Sequence, residues 1–321
     1  LEERHADDLD SVITGLATHW AEASAGGDPT RAVELALRAS EVAVERGALE
    51  NGIGWLEQAL ELLDDDRLRT REARAVTVQL ATLQAVASDG PAGRANALAA
   101  AKAAFDADDV EMVCAALQVS ERSSFSVDDG ADPERTDLLR RALDLDGLTP
   151  FQRASLLGEL AAELIFERDI AGRRDALDAR SELLAELPIA ERAWLNRRPA
   201  DFNWRGVTRE ETQERLGWLD HLDTDSLSPS DQVTATGTRF FLGLGCMDGG
   251  AVGAAMADLV AAGEHHGKAW AFAKLMRSMA ATVAGRIDEA DRLARAAVES
   301  MRGVGMAEYT NYMSTSALGN A

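Results

Sequence analysis

The sequence predicts an all-α protein: a right-handed α-α superhelix, a TPR-like solenoid of antiparallel helix pairs. Three observations lead there. Apolar residues recur at helical spacing along nearly all of the 321 residues. Long runs of Val, Ile and Thr at period two are hard to find. The breaks between periodic stretches are short and carry Gly, Asp or Pro. Composition agrees: 46% of residues are hydrophobic but only 5% aromatic, so Ala and Leu must fill most of the interior.

The elements follow in order. Leu9, Val12, Ile13, Leu16 and Trp20 share one helical face. "GGDPT" breaks the pattern, with Asp28 placed to cap and Pro29 at a first helical position. A helix over 30–46 stops at Gly47, and "LENGIGWLEQALELL" makes the next, ending in the acidic run 64–66. Further helical patterns cover 67–88, 92–106, 109–122, 134–144, 150–168, 171–187 and 189–198. The last ones span 208–222, 229–246, 250–265, 267–284 and 287–302. The longest polar stretch, "SSFSVDDGADP" at 123–133, is the expected loop or seam between N-terminal repeats over 1–122 and C-terminal repeats over 134–321.

Helix pairs too thin to bury their own apolar faces must stack on neighbours, so a repeat register is expected. In 36–59, Ala36, Ala39, Ser40 and Ala43 lie on one helix, Gly47 makes the turn, and Gly52, Leu56 and Ala59 lie on the next. These are the small and large positions of a tetratricopeptide repeat. The same register fits Ser278, Ala281, Gly285, Ala290, Ala294 and Ala297. It also fits 239–259, with Gly249 at the turn and Ala254 at the small position.

That last stretch, "RFFLGLGCMDGGAVGAAMADL", has the outline of a dinucleotide-binding turn, with Gly243, Gly245, Gly249 and Gly250 after an apolar run and Glu264 downstream. The apolar segment, however, begins back at "DQVTATGTRFF", too long for one strand, and no second strand accompanies it. A turn between helices is the expectation, and no cofactor is expected.

A net charge of −22 argues against a nucleic-acid surface and against docking on anionic lipid. Lys102, Lys268 and Lys274 are the only lysines among 33 basic residues, a bias shared by GC-rich genomes and halophiles. Cys114 and Cys246 sit in apolar helical patterns without metal or disulfide spacing, which points to a reducing cytoplasm. No signal peptide and no membrane-spanning run is visible. The chain starts at Leu1 and ends in "STSALGNA" just after a fresh helical pattern, as a fragment of something longer would.

Candidate sites are few. In "ERAWLNRRPADFNWRG", Arg192, Arg197, Arg198 and Arg205 cluster with Trp194, Phe202 and Trp204. Arg with Trp is the composition of binding hot spots and of carboxylate recognition. Because Arg197, Arg198 and Arg205 fall at chain breaks, they are expected on a partly exposed rim that accepts an acidic group. The bland alternative has both indoles packed between helices and the arginines paired with nearby acids. Glu264, His265 and His266 offer poor metal geometry, since neighbours on a helix diverge by about 100°. His19 beside Trp20 reads as a packed interior histidine. The acidic "LDDDR" reads as a helix boundary, not a metal cluster, and no catalytic triad or Cys/His spacing stands out. A non-catalytic role is expected.

At these residues the chain also resembles a known family. The segment from Ile13 to Leu63, "ITGLATHWAEASAGGDPTRAVELALRASEVAVERGALENGIGWLEQALELL", looks like the helical region that follows the ATPase module in large AAA/STAND signalling regulators common in actinobacteria. "SLLGELAAELIFERDIAGRRDALDARSELLAEL", "FNWRGVTREETQERLGWLDHLD" and "AGRIDEADRLARAAVES" resemble successive stretches of that region in the same order. Trp204 matches a position often aromatic there. Such regulators carry LuxR-type helix-turn-helix outputs, class III cyclases or SARP-type DNA-binding domains. No Walker A sequence, recognition helix or mappable cyclase residue occurs in this chain. The resemblance implies an interaction or effector-sensing region of a transcriptional or signalling regulator. Its partners would be a protein or peptide, including the regulator's own ATPase module, or a small-molecule effector. A small-ligand receptor with a closed pocket is the alternative, and the shape of the groove discriminates: a broad polar trough for a peptide, an enclosed apolar pocket for a small molecule.

Overall fold

The computed structural model describes residues 9–24, 28–63, 68–87, 90–119, 131–197, 208–224, 227, 229–263 and 267–303. These residues form fifteen α-helices and two 3-10 turns, and no strand occurs among them. None of the helices is long and apolar enough to cross a membrane.

Two compact units are present. The first begins with a 3-10 turn at Leu9–Ser11, then α1 (Ile13–Ala23), α2 (Thr30–Glu45), α3 (Leu49–Leu62), α4 (Arg71–Val86), α5 (Gly90–Asp106) and α6 (Val110–Leu117). It also takes residues Asp137–Gly147, most of α7 (Pro133–Leu143). There the Arg141 guanidinium lies 4.5 Å above the Phe105 ring. The second unit holds α8 (Pro150–Glu167), α9 (Ile170–Glu186), α10 (Ile189–Asn196), α11 (Arg209–Trp218) and a 3-10 turn at Leu219–His221. It continues through α12 (Pro229–Cys246), α13 (Gly249–Gly263), α14 (Gly267–Val283) and α15 (Ile287–Gly303). The expected seam at 123–133 lies mostly outside the described residues.

Caps fix most of the boundaries. Thr149 and Thr208 form capping boxes with Gln152 and Glu211. Asp28 accepts from the Thr30 N–H at 2.9 Å while Pro29 already has helical angles. Three spans are shorter than the periodicity suggests. The helix expected from 67 starts at Arg71, because Thr70 caps it by accepting from Ala73 N–H. α6 stops at Leu117. The pattern over 208–222 tightens into a 3-10 turn after Trp218.

Five hairpins, α2–α3, α5–α6, α8–α9, α12–α13 and α14–α15, turn in one way. Each first helix ends on a left-handed residue: Gly47, Asp108, Arg168, Met247 and Gly285, with φ of 75°, 52°, 60°, 58° and 74°. In each, the N–H of the following residue reaches back five positions, as from Ala48 to the Ala43 carbonyl and from Asp248 to Gly243. At three of the turns that following residue is an aspartate that caps the second helix: Asp109, Asp169 and Asp248 accept from Met112, Gly172 and both Gly250 and Ala251.

The two glycine hairpins keep the predicted register. Ala36, Ala39, Ser40, Gly52, Leu56 and Ala59 are buried, as are Ser278, Ala281, Ala290, Ala294 and Ala297. Gly52 is a true close approach, since an added Cβ would lie 3.0 Å from Val44 Cγ2. In the third register the turn is corrected by two residues and the small buried position by one. Met247, not Gly249, takes the left-handed turn, Gly249 opens α13, and Ala254 is exposed while Ala255 and Leu259 are buried. The six-residue back-bond, not the glycine, sets the turn there.

The same stretch is a helix hairpin over its whole length. Gly243 and Gly245 lie within α12, and Gly249 and Gly250 start α13. Gly243 is needed for packing: a Cβ there would sit 3.1 Å from Ala251 Cβ and 3.2 Å from Val252 Cγ2.

Candidate functional site

Pro188 starts α10 with an extended backbone, and its carbonyl receives the Arg192 N–H at 3.0 Å. The Arg192 side chain then folds back over the end of α9. It donates to the Leu187 carbonyl at 2.8 Å and the Ala185 carbonyl at 2.7 Å, two acceptors that the helix end leaves open. Its guanidinium also stands 5.7 Å from the Trp218 ring.

Arg197 closes the other end of α10. Nη1 donates to the Trp194 carbonyl at 2.8 Å, and the guanidinium stacks 3.3 Å from the Trp194 ring centroid. Asp231 of α12 lies 3.6 Å away, and the Arg197 carbonyl accepts from Thr238 Oγ1 at 2.9 Å. Arg197 is only 4% exposed, so it is not on the rim where the sequence reading put it. The physical reason is the Trp194 face: a flat, weakly hydrated guanidinium packs on it and satisfies the helix end at once. Trp194 meets Phe151 at 5.3 Å and joins the core of Ala154, Leu184, Leu187 and Leu195. Arg198, Phe202, Trp204 and Arg205 lie outside the described residues, as do Glu264, His265 and His266. His19 is exposed on α1 rather than packed inside.

Buried charges in the second unit went unnoticed in the sequence. Arg180 is 3% exposed and donates to the Ala154 and Leu195 carbonyls, tying α8, α9 and α10 together. Arg135 pairs at 3.0 Å with both Glu159 and Glu163 of α8. The available signal was two glutamates four apart on the stripe of Leu156, Leu160 and Leu164. These groups brace the helices against each other.

In the first unit, a groove of about 430 Å³ runs over α2 between α1 and α3. Ala39, Val42 and Ala43 of α2 line it together with Thr14 of α1. Asn51, Gly54, Trp55 and Gln58 of α3 line the other side, at the i, i+3, i+4, i+7 spacing of one helical face. Arg46 and Glu50 add the charged groups. Arg46 donates to the Asp10 carbonyl at 3.2 Å. The Asp10 carboxyl is held below the usual carboxylate range, first by its hydrogen bond from Arg38 and further by the charges of Arg38 and Arg46. This groove was not singled out in the sequence, because its residues come from three helices and none is unusual alone. Among the described residues, no three His, Cys, Asp or Glu side chains converge as a metal site.

No protein-family model matches the chain. No curated protein matches it either.

Proposed function

We propose that this chain is a non-catalytic interaction and effector-sensing region, a TPR-like superhelix belonging to a larger ATP-dependent regulator of the AAA/STAND type. The resemblance of Ile13 to Leu63 and of the three later segments supports that assignment. The repeated hairpin register at Ser40 and Ser278 is consistent with it. In this reading the chain works in the cytoplasm, and an occupant of the array shifts how it packs against the regulator's ATPase module.

The observation that carries the reading is the groove over α2. It is open to solvent and lined by both small apolar and carboxamide side chains, the form of a trough for a protein or peptide segment. A small-molecule receptor would favour an enclosed apolar pocket. Selecting a displayed random-peptide library against the chain tests this. Enriched peptides should lose binding to Trp55→Ala. Peptides that bind this variant as well as the parent would remove the groove from the proposal. A metabolite that raises the melting temperature only when Trp55 is present would favour the small-ligand alternative.

A further inference from the structure

α13 has the composition of a covered helix. Of its 15 residues only Asp258 is ionisable, against seven of 17 in α15. Its inner side is accounted for: Ala255 and Leu259 are buried in one core with Phe240, Phe241, Ala273 and Met276. The opposite side is bare. Gly253, Ala254, Ala257 and Ala261 are exposed, and Ala257 points most directly away from the buried pair, at about 100° of rotation per residue. Met247, at the turn into the helix, is largely exposed as well. A contiguous apolar surface of this kind marks an interaction site.

The face is complementary to itself. Gly249, Gly253, Ala257 and Ala261 follow at i, i+4 spacing and leave a shallow channel along the helix. Beside it, Val252, Met256 and Val260 form a ridge at the same spacing, half-buried where they lean on the core. An i±4 ridge packs into an i±4 channel at a crossing angle of about −50°. Twofold pairing requires each copy to offer both halves of the contact, and α13 carries channel and ridge side by side. Glycine in the channel lets the two backbones approach closely.

Charge selects the same partner. Two chains of −22 repel each other over most of their surface. Across α13 that repulsion is weak, because Asp258 stands alone and on the flank of the exposed face. A cationic partner would be drawn instead to carboxylates, which this face lacks. Area sets the strength. The helix is about 22 Å long and about 10 Å wide, which gives a face of about 220 Å². A stable complex buries about 800 Å² per partner, so the association is weak and reversible.

We propose that the outer face of α13 is a weak homodimerisation surface, on which a second copy of this chain packs its own α13 about a twofold axis. Sedimentation equilibrium of the chain from about 10 μM to about 1 mM tests it. The average mass should climb from 34.4 kDa toward twice that value with concentration. Association should tighten several-fold from low to high salt, because screening removes the repulsion and leaves the apolar contact. Ala257→Glu should weaken the dimer about tenfold or more while keeping the parent melting temperature, since the site is exposed in one copy. Ala23→Glu puts the same charge at an exposed position of α1 and should leave the dimer intact. A chain that stays monomeric over the whole range leaves the face to another partner and overturns the proposal. So does a dimer that weakens with salt, one that Ala257→Glu does not disturb, or one that Ala23→Glu disrupts equally.

Discussion

Ser40 Oγ donates to the Gly52 carbonyl at 2.9 Å across the α2–α3 hairpin, and Ser278 Oγ donates to the Ala290 carbonyl at 2.8 Å across α14–α15. In both, the acceptor is twelve residues on and a left-handed glycine, Gly47 or Gly285, lies between. A hydroxyl small enough to sit at the helix contact thus fixes the register of the pair. Ser40→Ala and Ser278→Ala should each cost about 1 kcal/mol, the net worth of a buried hydrogen bond. Denaturant unfolding of the two variants measures it, and valine at either site should cost more through crowding.

The turns give a contrast in sign. Met247 is 77% exposed yet holds φ of 58°, so its side chain gains no burial while its backbone is strained. Met247→Gly should stabilise by about 1 kcal/mol, whereas Gly285→Ala should destabilise by a similar amount. Thermal melting of the pair should move in opposite directions.

Ala297 is fully buried against Ala271 and Leu275. Ala297→Glu places an unpaired carboxylate in that contact and should cost about 3 kcal/mol or more. An unchanged melting temperature would show that α15 packs on α14 through another face.

Arg197 is a test of bracing against binding. Arg197→Ala loses the Trp194 stack and the bond to the Trp194 carbonyl, and should cost about 2 kcal/mol. Lysine should not restore it, because a point charge cannot both stack flat and cap the helix. Arg192→Lys, where the contacts are two carbonyls at a helix end, should be milder. Urea midpoints for the three variants check the order.

Burial pushes the Cys114 thiol up to about 11 from an ordinary 9.0, and burial also raises Cys246. The folded chain therefore keeps a Cys114 proton that the unfolded chain releases. That contribution is fully present below pH 9 and is lost as pH rises through 11. Cys114→Ala should flatten the alkaline limb of the stability curve. Neither thiol should react with a disulfide reagent at pH 8 until the chain unfolds, since only the thiolate attacks.

The helices themselves were legible in the chain. Apolar periodicity, Pro29, Pro150 and the glycines at 47 and 285 are local signals, and local backbone chemistry decides where a helix starts and stops. The small-residue register around Ser40 and Ser278 was readable for the same reason, because its partners sit twelve residues apart across one turn. Three other turns were not legible as such: Asp108, Arg168 and Met247 take the left-handed angle without being glycine, held there by the back-bonds of the hairpin. The fate of Arg197 was decided only in three dimensions, by Trp194 beside it and Asp231 from another helix. So was the groove. Thr14, Val42 and Trp55 are ordinary residues on three helices, and no periodicity encodes the space between them. Sequence fixes which face of a helix is apolar, but packing alone decides which surfaces are left uncovered.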